Sequence, residues 1–190
     1  MTNDLGLLYI KLLPRDIMVI REAKLTDAPA IAKVHVDTWR TTYSNLMPAK
    51  FLADLSYEER ETKWVKILSN IAQDNFTYIA EDGIGQVVGF ANGGKERTGD
   101  RLYEGELYAI YILEKYQRQG LGYRLVSTIA TKLMQSGISS MLVWVLADNA
   151  AVHFYQSLGG QQVYQKQIEI ATLQLVEVAY GWTDTRREII

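Results

Sequence analysis

The stretch EGELYAIYILEKYQRQGLGYRLVSTIATKLM (Glu104–Met134) sets the reading of the whole chain. Glu106 to Leu113 is rich in aliphatic and aromatic residues and free of Gly and Pro, so it reads as a strand. Gln117-Arg118-Gln119-Gly120-Leu121-Gly122 is a tight turn. Leu121, Leu125, Ile129 and Leu133 then recur at helical spacing with Val126 and Met134 beside them, and Gly137 supplies a stop. A glycine turn that opens a helix points several unpaired N–H groups one way, and the helix dipole adds about half a positive charge there. The glycines admit a close approach, and Arg118 and Arg124 could add full charges. Such a turn suits a phosphate or pyrophosphate; it is equally the mark of an ordinary helix start, and these residues leave both readings open.

Two nucleotide patterns are excluded. A Walker loop requires Gly-Lys-Ser/Thr, whereas Tyr123 and Arg124 follow Gly122. A dinucleotide fingerprint requires a third glycine where Leu125 stands, and an acid where Met141 to Leu146 are apolar.

Composition narrows the classes further. At 190 residues one domain is expected, with 48% hydrophobic and 22% charged residues giving it an ordinary globular balance. A net charge of −2 and no long basic run speak against nucleic-acid binding. The absence of cysteine excludes disulfides, zinc–cysteine sites and a cysteine nucleophile, and fits a cytoplasmic protein. Leu5 to Leu13 is apolar but interrupted by Lys11 and closed by Pro14, too short to span a bilayer, so no membrane association is expected. Residues 1–17 read as an N-terminal extension, with Met18 an alternative start, and 18–190 as the domain.

Working outward, Met18 to Ala23 is a strand. A helix capped by Thr26 carries Ala28, Ile31, Ala32, Val34, His35, Thr38 and Trp39 inward and runs out near Tyr43. Pro48 opens a second helical stretch, and Tyr57 to Ser69 forms a third. Phe76 to Glu81 and Gln86 to Asn92 make a hairpin around Asp82-Gly83-Ile84-Gly85, and Gly93-Gly94 through Asp100 reads as a polar loop. Met141 to Leu146 is a buried strand, Asp148-Asn149 starts a short helix closed by Gly159-Gly160, and Gln162–Ile170 and Leu173–Trp182 pair antiparallel. This order specifies an α/β domain with a mixed, mostly antiparallel sheet of six or seven strands flanked by helices.

With that order, the Gln117–Gly122 turn and the segment Asn149-Ala150-Ala151-Val152-His153-Phe154-Tyr155, the chain resembles the GNAT superfamily of N-acetyltransferases over about residues 18–182. The resemblance implies acetyl-CoA as co-substrate and a splayed central strand pair. The N–H groups of Gln117, Arg118, Gln119, Gly120, Leu121 and Gly122 would cradle the pyrophosphate, and the backbone of Ile110, Tyr111 and Ile112 would pair with the pantetheine arm. It also implies Tyr155 as the proton donor to the CoA sulfur, against the alternative of a core aromatic beside Phe154. Glu106, eleven residues before Gln117, is implied as general base, against a solvated strand-end charge, with Glu104 in reserve. Asn149 would hold the pantetheine or thiolate region, cap its helix, or do both, and the N–H near Ile112 would meet the oxyanion.

A primary alkyl amine is only about one part in a thousand neutral near pH 7.4, which is why a base is wanted. Direct transfer in a ternary complex follows from the missing cysteine. The acceptor expected is a primary amine of a small molecule or peptide. An N-terminal or lysine protein acetyltransferase and a non-catalytic CoA-binding regulator are the alternatives. His35 and His153 have no partners at metal spacing, so no metal is expected. Trp39, Tyr43 and Trp64 line either an acceptor pocket or the core. Dimers are common in the family, and a homodimer through the last strands is open.

Overall fold

The computed structural model describes residues 18–70 and 75–189; the 1–17 extension lies outside them. A seven-stranded sheet runs in the order β1-β2-β3-β4-β5-β7-β6. Its strands are β1 (Val19–Glu22), β2 (Asn75–Glu81), β3 (Val87–Lys95), β4 (Gly105–Ile112), β5 (Met141–Leu146), β6 (Gln161–Ile170) and β7 (Leu173–Trp182). Neighbours are antiparallel except β4 and β5. The helices are α1 (Ala28–Thr42), α2 (Ala49–Ala53), α3 (Tyr57–Ser69), α4 (Leu121–Gln135), α5 (Ala151–Ser157) and α6 (Thr185–Glu188).

The apolar stripe of α4 explains which face it covers. Leu121, Leu125, Val126, Ile129, Ala130 and Leu133 are all buried. They meet Phe76, Ala80, Val88, Ala91, Leu107, Met141 and Val143 from the sheet, with Tyr155 and Leu158 from α5 and its end in the same core. On the opposite face Ala28, Ile31, Ala32 and Val34 of α1 and Trp64 of α3 close over Ile79, Val87 and Phe90. A third cluster joins Tyr43, Met47 and Leu52 to Leu146, with Ile168, Ile170 and Leu175 of the β6–β7 hairpin packed against it. The hairpin thereby folds toward the α1–α2 connection.

Two local expectations are corrected. Gly93 and Gly94 continue β3 as far as Lys95. A Cβ on Gly93 would stand 2.7 Å from Ile129 Cγ2 and 2.9 Å from the Glu106 carbonyl oxygen, so the glycine serves close packing of β3, β4 and α4. Thr26 does not cap the first helix: residues Leu25–Asp27 form a 3-10 turn, and the Asp27 carboxylate accepts the Lys24 N–H at 2.6 Å and the Arg21 guanidinium.

The central opening arises at a bulge. The β3–β4 register passes from Gly93↔Leu107 to Asn92↔Ala109, accommodating Tyr108 as one extra residue in β4. A bulge bends its strand and increases twist. At that point the parallel ladder between β4 and β5 ends: it holds only Gly105↔Met141, Glu106↔Leu142 and Leu107↔Val143. Beyond it β5 stays with β7 as far as Leu146↔Glu177, and β4 stays with β3 as far as Gly89↔Ile112. The last residues of β4 therefore turn one edge to an opening.

Candidate active site

Backbone alternation decides what β4 shows to that opening. The N–H of Leu113 donates to the Val88 carbonyl at 2.9 Å. Successive residues point to opposite edges, so Tyr111 bonds toward β3, while the N–H and C=O of Ile110 and Ile112 face the opening. Gln117 Nε2 donates to the Ile112 carbonyl at 2.8 Å, tying the glycine turn to the end of the strand. Of the three expected backbone residues, Ile110 and Ile112 are brought to the site by their main chain; Tyr111 reaches it by its side chain.

The turn itself is built as an amide-lined bend. Arg118 has φ 61° and Gly120 φ 77°, and Gly120 is the N-cap of α4. Among the described residues, the N–H groups from Arg118 to Tyr123 have no backbone or side-chain acceptor, the Arg124 N–H being the first to bond back, to Gly120 O at 3.2 Å. Nothing lies within 4 Å of a Cβ built on Gly120, whereas one on Gly122 would meet Phe154 at 3.1 Å. The first glycine leaves the mouth open; the second lets α4 pack on α5. Arg124 is drawn aside, its guanidinium donating to the Met18 carbonyl at 3.0 Å.

A polar and aromatic group sits beside the opening. The Tyr43 hydroxyl, just past the end of α1, lies near the Tyr111 hydroxyl and the Asn149 side chain. Asn149 is buried and its Oδ1 accepts the Ala151 N–H at 2.9 Å, an Asx turn just ahead of α5, whose N-cap is Ala150 and carries no side-chain cap. Tyr155 is buried, its ring near Phe154, Tyr180 and Trp182 at centroid distances of 5.4, 6.3 and 6.4 Å. Desolvation first, and the nearby Tyr43 second, push its hydroxyl well above the ordinary tyrosine pKa, so it is a protonated donor at neutral pH. The Trp39 indole N–H is buried beside the Tyr111 hydroxyl without a well-formed bond. Trp64, by contrast, stacks edge-on against Phe90 at 4.8 Å in the core.

His35 links this group to the core. It stacks on Tyr111 at 4.7 Å and its Nδ1 accepts the Trp64 indole N–H at 3.3 Å. Burial, reinforced by Arg60 and Lys63, lowers its pKa to about 3, so it is neutral with its proton on Nε2. A histidine that refuses a proton when folded but accepts one near pH 6.5 when unfolded makes stability fall as pH drops through that value, by up to about 1.4 kcal/mol per unit. Urea unfolding at pH 7.5 and 5.0 should therefore show a larger acid loss for wild type than for His35→Gln. Equal losses would mean that His35 takes up its proton in the folded protein.

Glu106 is not a solvated strand-end charge. It is buried at 2% exposure, and the Arg97 guanidinium donates to both carboxylate oxygens, one of them at 3.0 Å through Nε. Arg97 also lies 4.3 Å above the Tyr108 ring, whose hydroxyl donates to the Lys95 carbonyl. Glu104 is exposed and lies just outside β4. Arg97 escaped the sequence reading because nothing local links it to Glu106; only the antiparallel return of the chain does. Glu177, an acid inside the apolar run Leu175-Val176-Glu177-Val178-Ala179, was the available but unused signal on β7. No group of three or more His, Cys, Asp or Glu among the described residues could hold a metal ion, and no helix among them is long and apolar enough to cross a membrane.

A mixed sheet opened between its parallel strand pair β4 and β5, with an amide-lined turn at the mouth of the opening, is the arrangement that the resemblance to the N-acetyltransferases implies. The family model described as FR47-like protein matches residues 88–168. The uncharacterized N-acetyltransferase YuaI of Bacillus subtilis (strain 168) is 45% identical over 168 residues, covering 88% of this chain and 94% of that protein. The PaiA N-acetyltransferase of Thermoplasma acidophilum, solved in complex with coenzyme A, superposes with a TM-score of 0.63 at 16% identity over 87% of this chain and 99% of its own. The ribosomal-protein-alanine N-acetyltransferase of Brucella melitensis gives 0.67 at 22% identity over 86% and 98%. The chain belongs to the GNAT superfamily of N-acetyltransferases.

Proposed function

We propose that the protein transfers the acetyl group of acetyl-CoA directly to a primary amine of a small molecule or peptide. The observation that carries this reading is the opening between β4 and β5, with the amide-lined turn at its mouth and the buried, protonated Tyr155 beside it. Acetyl-CoA supplies the acetyl group as a thioester. The N–H groups of Arg118, Gln119, Gly120, Leu121 and Gly122 would hold the pyrophosphate, with the dipole of α4 behind them. The Ile110 edge would pair with pantetheine, Asn149 would hold its thiol end, and the Ile112 N–H would donate to the carbonyl oxygen as charge builds there.

In the transfer the amine nitrogen bonds to the acetyl carbon and the carbon–sulfur bond breaks. Glu106 receives the proton that the amine loses, and Tyr155 gives its own to the departing sulfur; solvent then restores both groups. Arg97 holds one lone pair on each oxygen of Glu106, and each oxygen keeps a second lone pair on which the carboxylate can accept a proton. General-base assistance is typically worth about a hundredfold or more. Glu106→Gln should therefore lower kcat/KM by about a hundredfold near neutral pH. The deficit should narrow as pH approaches about 10, where alkyl amines are already neutral. Thiol release measured over a panel of amines and short peptides tests both statements. CoA binding without release for any acceptor would place the protein among non-catalytic CoA-binding regulators, and an unaltered rate in Glu106→Gln would remove that residue from the chemistry.

A further inference from the structure

One part of the sheet face beside the opening is unaccounted for by this chemistry. Paired residues on neighbouring strands share a face. Trp144 pairs with Ala179, Leu146 with Glu177, and Lys166 with Glu177, so Trp144, Leu146, Glu177 and Lys166 stand on one face. It is the face on which Leu146 packs with Tyr43, Met47 and Leu52, and Glu106, register partner of Leu142, belongs to it too. On it the Lys166 ammonium sits 3.8 Å from the centroid of the Trp144 ring and 3.3 Å from Glu177 Oε2. Tyr164 stacks beside the same indole at 6.4 Å. The Glu177 side chain is 23% exposed, that of Lys166 45%. Glu177 also lies close enough to Tyr43 to act on its hydroxyl electrostatically.

An indole face and a carboxylate that converge on one primary ammonium are the chemistry by which alkylammonium ions are recognised. Here the ion is the protein's own lysine, on the edge strand β6 and half exposed. Trp144 is the first residue of β5 beyond the last pair with β4, Leu107↔Val143, and so stands where the opening begins. We infer that Trp144 and Glu177 form a recognition subsite for an alkylammonium group of the acceptor, occupied by Lys166 until the acceptor displaces it. This rests on the acetyltransferase reading for its purpose, though not for its geometry. The reacting nitrogen must be neutral while the subsite holds a cation. The acceptor therefore carries two amino groups, one bound as ammonium at Trp144 and Glu177, the other presented to the thioester. A diamine and a peptide with an amino terminus and a lysine share that chemistry.

The test uses the full chain and three probes: 1,5-diaminopentane, n-pentylamine and a lysine-bearing tripeptide. Removing the internal competitor in Lys166→Ala should tighten calorimetric binding of 1,5-diaminopentane about tenfold, the combined size of an exposed ion pair and a cation–π contact. Glu177→Gln, nearly isosteric and so safe for the fold, should weaken it by a similar factor and raise KM for the diamine more than it lowers kcat. n-Pentylamine should discriminate far less among the variants. Preference for the tripeptide in Lys166→Ala would keep the subsite and name a peptide as its source. Equal diamine affinity in wild type, Lys166→Ala and Glu177→Gln would overturn it. Titrating acetyl-CoA into the same samples reads the donor side separately: failure there strikes the acetyltransferase reading and leaves the diamine result standing.

Discussion

Gly120→Val is expected to give a folded protein that has lost its hold on acetyl-CoA. Gly120 has φ 77°, and a Cβ placed on it meets nothing within 4 Å, so the substitution costs no packing. Its cost lies in the backbone. A left-handed conformation is unfavourable by roughly 1–2 kcal/mol for an ordinary residue and worse for a β-branched one. The chain can relieve this only by rotating the peptide units around residue 120, which are those that carry the free N–H groups ahead of α4. If the chain instead keeps its shape, the isopropyl group stands at the mouth of the turn. Hydrogen bonds to a charged group are worth about 1.5–3 kcal/mol each, so misdirecting two of them costs about a hundredfold or more in affinity. Calorimetric titration with acetyl-CoA, beside a thermal melt confirming the fold, reads the result. Undiminished affinity would show that the turn does not hold the diphosphate.

Tyr155→Phe should lower kcat by about ten- to a hundredfold while acetyl-CoA binds as before. The ring of Tyr155 is surrounded by Phe154, Tyr180 and Trp182, and phenylalanine preserves those contacts. Only the hydroxyl goes. Burial keeps that hydroxyl protonated at neutral pH, which suits it to supply a proton and not to remove one. The variant therefore separates packing from proton transfer more cleanly than alanine would. Turnover equal to wild type would assign the sulfur's proton to another donor, for which Tyr43, near enough to act on Tyr155 electrostatically, is the candidate.

Much of the architecture was legible because it is written in short-range patterns. The helix Tyr57–Ser69 and the strand Met141–Leu146 fall where periodicity and the burial of a continuous apolar run place them. The hairpin at Asp82-Gly83-Ile84-Gly85 is announced by its turn residues, and the Asp82 side chain accepts the N–H groups of Ile84 and Gln86. Gly93 and Gly94 misled for an instructive reason. Glycine marks a loop when the backbone must turn, but it equally marks a strand that another element presses upon, and Ile129 comes from a helix that starts 28 residues later. Similarly, Thr26 is a good capping residue by type, yet Asp27 took the position because Arg21 and Lys24 both reach it.

The sequence by itself determined the order of elements, the sheet's mixed character and the glycine turn ahead of the long helix. Each follows from residues within a turn or two of one another, where local sterics and periodicity decide. Tertiary structure alone decided how the charges are matched and which faces meet. The bulge at Tyr108 opens β4 from β5, Arg97 closes on Glu106, and Lys166 comes to rest between Trp144 and Glu177. The physical reason is register. A shift of one residue between neighbouring strands turns every side chain to the other face, and that register is fixed by the packing of the whole sheet, not by the segment that carries the charge.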